Sequence, residues 1–253
     1  MQGLGKSAFH DFFAGRVRVF SRSFVFYWDS LRHWARARAN KEPPMSPFAY
    51  RPAILGLILA GGLTGAPAAL ADYLWLERSG ASAQAWLSEF QPGEHLDAGS
   101  LLEPQALLAD GKRLPLTVQG QALPVADGGS GDLRVTAKRA EGTKLTIYAA
   151  REGRGETKAA NDLELVPTTP NGNTFKLHWK GTVVAASQVN VYTSEQWTRT
   201  LKPAADGSVT LETPFPARYV LEVAAEINGA ATVDGKRYDS VTHVATLSFV
   251  VPR

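Results

Sequence analysis

The residues best able to do chemistry beyond residue 72 are three histidines, His95, His178 and His243, in a chain with no cysteine. His95 stands in Pro-Gly-Glu-His-Leu-Asp, where Glu94 and Asp97 put oxygen donors on either side of an imidazole. Mixed nitrogen and oxygen donors suit a divalent transition metal such as nickel, cobalt or copper. His243 falls on one strand face with Val241 and Ala245, with Asp239 four residues earlier, and a carboxylate so placed can orient the ring for a metal. The competing readings are a solvated loop histidine at 95 and a hydrogen-bonded strand-end histidine at 243. His178 points away from Leu177 and Trp179, and strand alternation alone accounts for it. His243, Asp239 and His95 are therefore the candidate metal ligands.

Other chemistries find less support. Absence of cysteine removes disulfides, thiolate metal sites and thiol catalysis. Glu222 and Glu226 share a face at strand spacing, as paired carboxylates for acid–base work would, but a solvated face explains them better. There is no Gly-x-Ser-x-Gly, no His-Glu-x-x-His and no phosphate-binding loop, so the expectation is a non-catalytic protein. Trp75 and Trp179 have apolar neighbours and read as core, whereas Trp197 sits among polar residues and is a candidate docking surface. Up to Ala71 nine basic residues face three acidic ones, while the remainder has 18 basic against 21 acidic. The folded part thus lacks the clustered Lys/Arg of a phosphate-binding surface, and nucleic acid is not expected as a partner.

The elements that must position these residues are strands. Apolar and polar residues alternate at 134–138 (RVTAK), 144–149 (KLTIYA), 175–179 (FKLHW), 188–192 (QVNVY), 208–212 (SVTLE), 219–223 (YVLEV) and 243–251 (HVATLSFVV). Short runs rich in Val, Thr and aromatics, bounded by Gly, Pro and Asn/Asp, predict an all-β fold of antiparallel sandwiches. Asp110-Gly111, Asp206-Gly207 and Asp234-Gly235 supply the positive φ that tight hairpins need. The small, polar stretch at 153–161 reads as a boundary, dividing an N-terminal β domain (72–158) from a C-terminal one (159–253). The stretch 127–132 (DGGSGD) reads as a flexible insert in the first.

Upstream, Met45 opens a secretory signal: Arg51, an apolar core at 53–63, Pro67, and small residues at Ala69 and Ala71. Cleavage after Ala71 is the expectation, with an uncleaved anchor the alternative, since the window carries four glycines and Pro67 where a spanning helix needs about 20 mainly apolar residues. Residues 1–44, rich in Arg and aromatics, are either a basic amphipathic leader or the product of a misplaced start.

Taken together and in order, Asp72-Tyr-Leu-Trp-Leu-Glu77, Ala85-Trp-Leu-Ser-Glu-Phe90, Leu96-Asp97, Asp110-Gly-Lys-Arg-Leu-Pro-Leu116, Asp162-Leu-Glu-Leu-Val-Pro167, Ala205-Asp-Gly-Ser-Val209, Tyr219-Val-Leu-Glu-Val223 and the stretch from Tyr238 to Phe249 resemble a periplasmic family of unknown function. That family is grouped with nickel and cobalt uptake, as the periplasmic component of cobalt ABC-type transport. The resemblance implies a secreted, periplasmic location, an immunoglobulin- or transthyretin-like C-terminal sandwich, one divalent transition metal ion and a membrane metal transporter as partner. Members commonly begin the mature chain with histidine. Here Asp72 holds that place, offering an amine and a carboxylate, a harder pair for nickel, as a helper ligand. The alternative function is a structural or interaction module, without metal, that docks a partner protein or a surface polymer.

Overall fold

A computed structural model of the chain describes residues 17–19, 72–80, 82–88, 95–126, 129–227 and 229–253. The signal at 45–71, the cut after Ala71 and nearly all of the 1–44 leader lie outside these residues, as does Glu94. No helix among the described residues is long and apolar enough to cross a membrane.

The described chain is built from strands. In its first part these are β1 (Val17–Val19), β2 (Tyr73–Ser79), β3 (Ser82–Ser88), β4 (Leu102–Leu107), β5 (Arg113–Pro115), β6 (Ala122–Val125), β7 (Leu133–Glu141) and β8 (Lys144–Glu152). There follow β9 (Leu163–Pro167), β10 (Thr174–Trp179), β11 (Thr182–Val184), β12 (Val189–Thr193), β13 (Thr198–Leu201) and β14 (Ser208–Thr210). The last are β15 (Ala217–Ile227), β16 (Ala231–Val233), β17 (Lys236–Tyr238) and β18 (Ser240–Val251). Each alternating run of the sequence overlaps one of β7, β8, β10, β12, β14, β15 or β18, as expected of β-branched and aromatic residues on a pleated, half-buried surface. Asp234 and Gly235 both have positive φ (50° and 77°), which closes the β16–β17 hairpin with a two-residue turn.

The main sheet runs β13-β12-β15-β18-β8-β7-β4-β5, with β1 beside β15. A second sheet joins β9, β11 and β14 to β10, and a third runs β2-β3-β6. Strand pairs are antiparallel with one exception among the described strands: β18 runs parallel to β8, from Ser240↔Lys144 to Ser248↔Glu152. A hairpin forces antiparallel pairing, but the long connection between β8 and β18, which carries the second sheet, leaves the direction free. The strands before and after the 153–161 stretch thus belong to one hydrogen-bonded layer.

Alternation along β18 shows how the smaller sheets cover this layer. Ala245, Leu247 and Phe249 join a core with Leu163, Phe175, Leu177, Val191, Tyr219 and Leu221. Val244, on the other face, packs into a core with Leu74, Trp75, Leu87, Leu123, Val135 and Tyr148. On that same face the Thr246 and Ser248 hydroxyls donate to the Leu74 and Leu76 carbonyls of β2, at 2.6 and 2.7 Å. They satisfy backbone acceptors that an edge strand pressed into a core would otherwise bury unpaired. Glu222, read from the sequence as part of a solvated face, is 5% exposed and accepts a 2.7 Å hydrogen bond from Asn190, its register partner on the neighbouring strand β12.

Candidate functional site

On the face of the main sheet that looks toward β9, alternate residues of β7 are Arg134, Thr136 and Lys138, and those of β8 are Arg151, Ala149 and Ile147. The register sets Arg134 opposite Arg151 at one end and Lys138 opposite Ile147 at the other, with His243 of β18 next to Ile147. Two polar regions result.

At the first end the charges are buried and ion-paired, with Arg151 Nε alone of the two guanidinium groups' nitrogens buried without a partner among the described residues. Arg134, Arg151, Asp132 and Glu164 are each at most 5% exposed. Oε1 of Glu164 accepts from Arg134 Nε (2.9 Å) and Arg151 Nη1 (2.8 Å), and its Oε2 accepts from the backbone N–H groups of Ala160 and Asn161 (2.9 and 2.8 Å). Asp132 pairs with Arg151 and accepts from the N–H groups of Gly155 and Glu156 at 2.9 and 3.0 Å. Glu156 returns a 2.8 Å ion pair to Arg134. Burial works against the Arg134 charge, but Glu164 and Glu156 hold its guanidinium above the ordinary value. Gly153 allows this closure: its φ is +103°, and a Cβ there would stand 2.4 Å from Asp132 Oδ1. Charge-assisted bonds therefore clamp the 153–164 stretch to β7 and β8. Asp132, expected within a flexible insert, is one of the clamp's anchors.

At the other end lies an open cleft of about 310 Å³. Its floor comes from β7 and β8, one wall from residues 160–163, and another from the β16–β17 hairpin. At its mouth the Lys138 ammonium is 2.5 Å from both Glu103 and Asp234. The hydrogen bonds that Lys138 donates to these two carboxylates, the one to Asp234 foremost, raise its pKa. Both acids sit in left-handed backbone, with φ of 49° and 50°, and Glu103 lies at the register shift between Leu102 and Gln105. A bulge of this kind re-aims a side chain, here across the cleft mouth.

Deeper in the cleft, His243 is 5% exposed and meets the edge of Trp179 at 4.7 Å between ring centroids. Burial pushes its pKa down to about 4, with Asp162 opposing and Lys180 reinforcing the shift. At neutral pH the ring is uncharged and carries one donor and one acceptor nitrogen. It forms no hydrogen bond with a described residue. Asn161 Nδ2 is buried without a hydrogen-bond partner among the described residues, and the Asp162 carboxylate has no ion pair among them.

The candidate ligands read from the sequence do not converge. Asp239 is exposed at the bend before β18, its N–H bonded to the Thr143 carbonyl at 2.8 Å; the carboxylate that acts on His243 is Asp162. The reason is topological: residues 160–163 fold over β18, whereas Asp239 precedes the strand. The His95 ring stacks on Trp86 at 3.8 Å between centroids, and burial lowers its pKa against the pull of Glu77. Asp97 spends its carboxylate capping the short 3-10 turn Ala98–Ser100 through Gly99 N–H at 2.9 Å. Asp72 is ion-paired with Arg139. Among the described residues no group of three or more His, Cys, Asp or Glu side chains is placed to hold a metal ion. The sequence points to His243 but misses Asn161, Asp162, Lys138 and Glu103, whose association is non-local; of the cleft's acids, only Asp234 carries a signal, as a turn residue.

Trp197, the predicted surface residue, is half-buried and meets Phe215 edge-on at 5.9 Å, beside Glu195, Pro216 and Arg253. No protein-family model matches the chain, and no curated protein matches it.

Proposed function

We propose that this chain is a non-catalytic binding protein that receives a small group of a partner molecule in the cleft over His243. The observation that carries this reading is a buried, uncharged imidazole without a hydrogen-bond partner among the described residues, facing an open cleft beside a free carboxylate. A ligand that donates to the unprotonated ring nitrogen completes its hydrogen bonding within the cleft. The export signal read at 45–71, together with the family resemblance, supports a periplasmic location. The test is a thermal-shift screen of amines, sugars and metal salts against the native protein and His243→Gln. A compound that raises the midpoint of the first and not of the second supports the cleft; equal shifts in both put binding elsewhere.

A second reading makes the ligand a nickel, cobalt or copper ion delivered to a membrane transporter. It rests on the resemblance to metal-uptake proteins and on His243 being held in the neutral form that ligates, with Asp162 as its oxygen neighbour. It predicts a metal-induced rise in midpoint that a chelator reverses and that His243→Ala abolishes. A midpoint that stays constant with all three metals rules it out.

A further inference from the structure

Building on the binding-module reading, we propose that the cleft takes an alkylammonium group, the lysine side chain of a partner protein, seated between the Asp162 carboxylate and the His243 ring. Charge favours a cation. Glu103, Asp162 and Asp234 face Lys138 and Arg113 along the lining, with His243 uncharged, so acids outnumber bases by three to two. Lys138 is fully engaged by Glu103 and Asp234, which leaves Asp162 as the carboxylate open to a new partner. Lys180, the opposing charge near His243, lies 5.5 Å over the Trp179 ring and is not part of the cleft lining.

Hydrogen bonding narrows the class. An ammonium offers three donors and no acceptor. The acceptors to receive them are the carboxylate of Asp162 and the unprotonated nitrogen of His243, whose ring is more than nine-tenths buried and unpartnered among the described residues. Asn161 Nδ2, the buried donor beside them, matches a carbonyl on the chain that carries the lysine. Ile147, Ala149, Leu163 and Val233 give the methylenes an apolar surface, as long cationic side chains require. The cleft already holds one ammonium, that of Lys138, between two carboxylates.

The probe is Nα-acetyl-lysine methylamide, titrated into the isotope-labelled full chain and followed by amide NMR. Its Nε-acetylated form serves as the uncharged control, and nickel ion as the competing chemistry. The expected result is a saturable shift of the Asn161, Asp162 and His243 amides with the lysine probe alone. Affinity should fall at least tenfold in Asp162→Asn, an exposed and nearly isosteric change. Equal shifts with the acetylated control, or an unchanged affinity in Asp162→Asn, overturn the ammonium assignment. If nickel moves the same amides and the lysine probe does not, the ammonium assignment falls while the cleft reading stands. Amides that ignore every probe overturn both.

Discussion

At one end of the face shared by β7 and β8, Arg134 and Arg151 meet Asp132, Glu156 and Glu164 in a cluster of buried ion pairs, in which Asp132 and Glu164 also accept backbone N–H groups. Farther along, the same face presents Lys138 and the ring of His243 to an open cleft, with Asn161 Nδ2 and the Asp162 carboxylate left without partners among the described residues. One stretch of chain borders both regions: Glu164 belongs to the cluster, and Asn161 and Asp162 to the cleft. The difference separates two uses of buried polarity. An ion-paired cluster orders a connecting segment, and a set of polar groups without ion pairs a few residues away is positioned by that order and keeps its hydrogen-bonding capacity for a ligand.

The largest effect should come from breaking the ion-paired region. Glu164→Gln leaves two buried guanidinium groups short of a countercharge, and removing one partner of such a pair costs about 3–5 kcal/mol. Chemical denaturation should show that loss, and Asn161 and Asp162 amide shifts should change with it, since their segment hangs on Glu164. A stable variant with unmoved cleft amides would show the two regions to be independent.

The next effect concerns pH. His243 has its folded pKa lowered to about 4 from an ordinary 6.5, so the unfolded chain takes up a proton first as pH falls. Stability is therefore whole above about pH 6.5 and declines between about 6.5 and 4, by roughly 3 kcal/mol from this residue. His243→Gln should flatten that slope in denaturation curves collected across the window.

Smaller again is Ser248→Ala, which leaves the Leu76 carbonyl without its hydroxyl donor and should lower stability by about 1–3 kcal/mol. The change lies on the opposite face of β18 and should leave cleft binding intact. Smallest is Asp162→Asn, which touches no ion pair among the described residues and should leave the thermal midpoint in place while weakening any cationic ligand. A large drop in its midpoint would mean that Asp162 belongs to the structural cluster.

Strands are legible in the sequence because their signal is local: period two, β-branched residues and Asp-Gly turns locate β7, β8, β15 and β18 without tertiary information. Long-range pairing is not. Nothing in KLTIYA or HVATLSFVV says that they lie side by side and parallel, because no turn connects them. The 153–161 stretch shows a second limit. Gly, Lys, Glu and Asn in a short run look like a linker, yet its order comes from Arg134, Arg151 and Asp132, residues that in sequence look like ordinary strand and loop polar positions. Arg134, between Leu133 and Val135, reads as the outward member of an alternating strand; its burial depends on Glu164, a carboxylate of another strand. His243 is legible as a candidate, but local spacing offers Asp239 as its carboxylate neighbour, whereas the fold supplies Asp162 from another segment.

The most direct measurement is the titration of the His243 ring nitrogens by NMR from pH 3 to 8 in the ligand-free full chain. The ring is expected to stay neutral and to protonate only near pH 4. Protonation close to pH 6.5 would mean a water-exposed imidazole, and the cleft would lose the group on which its binding role depends.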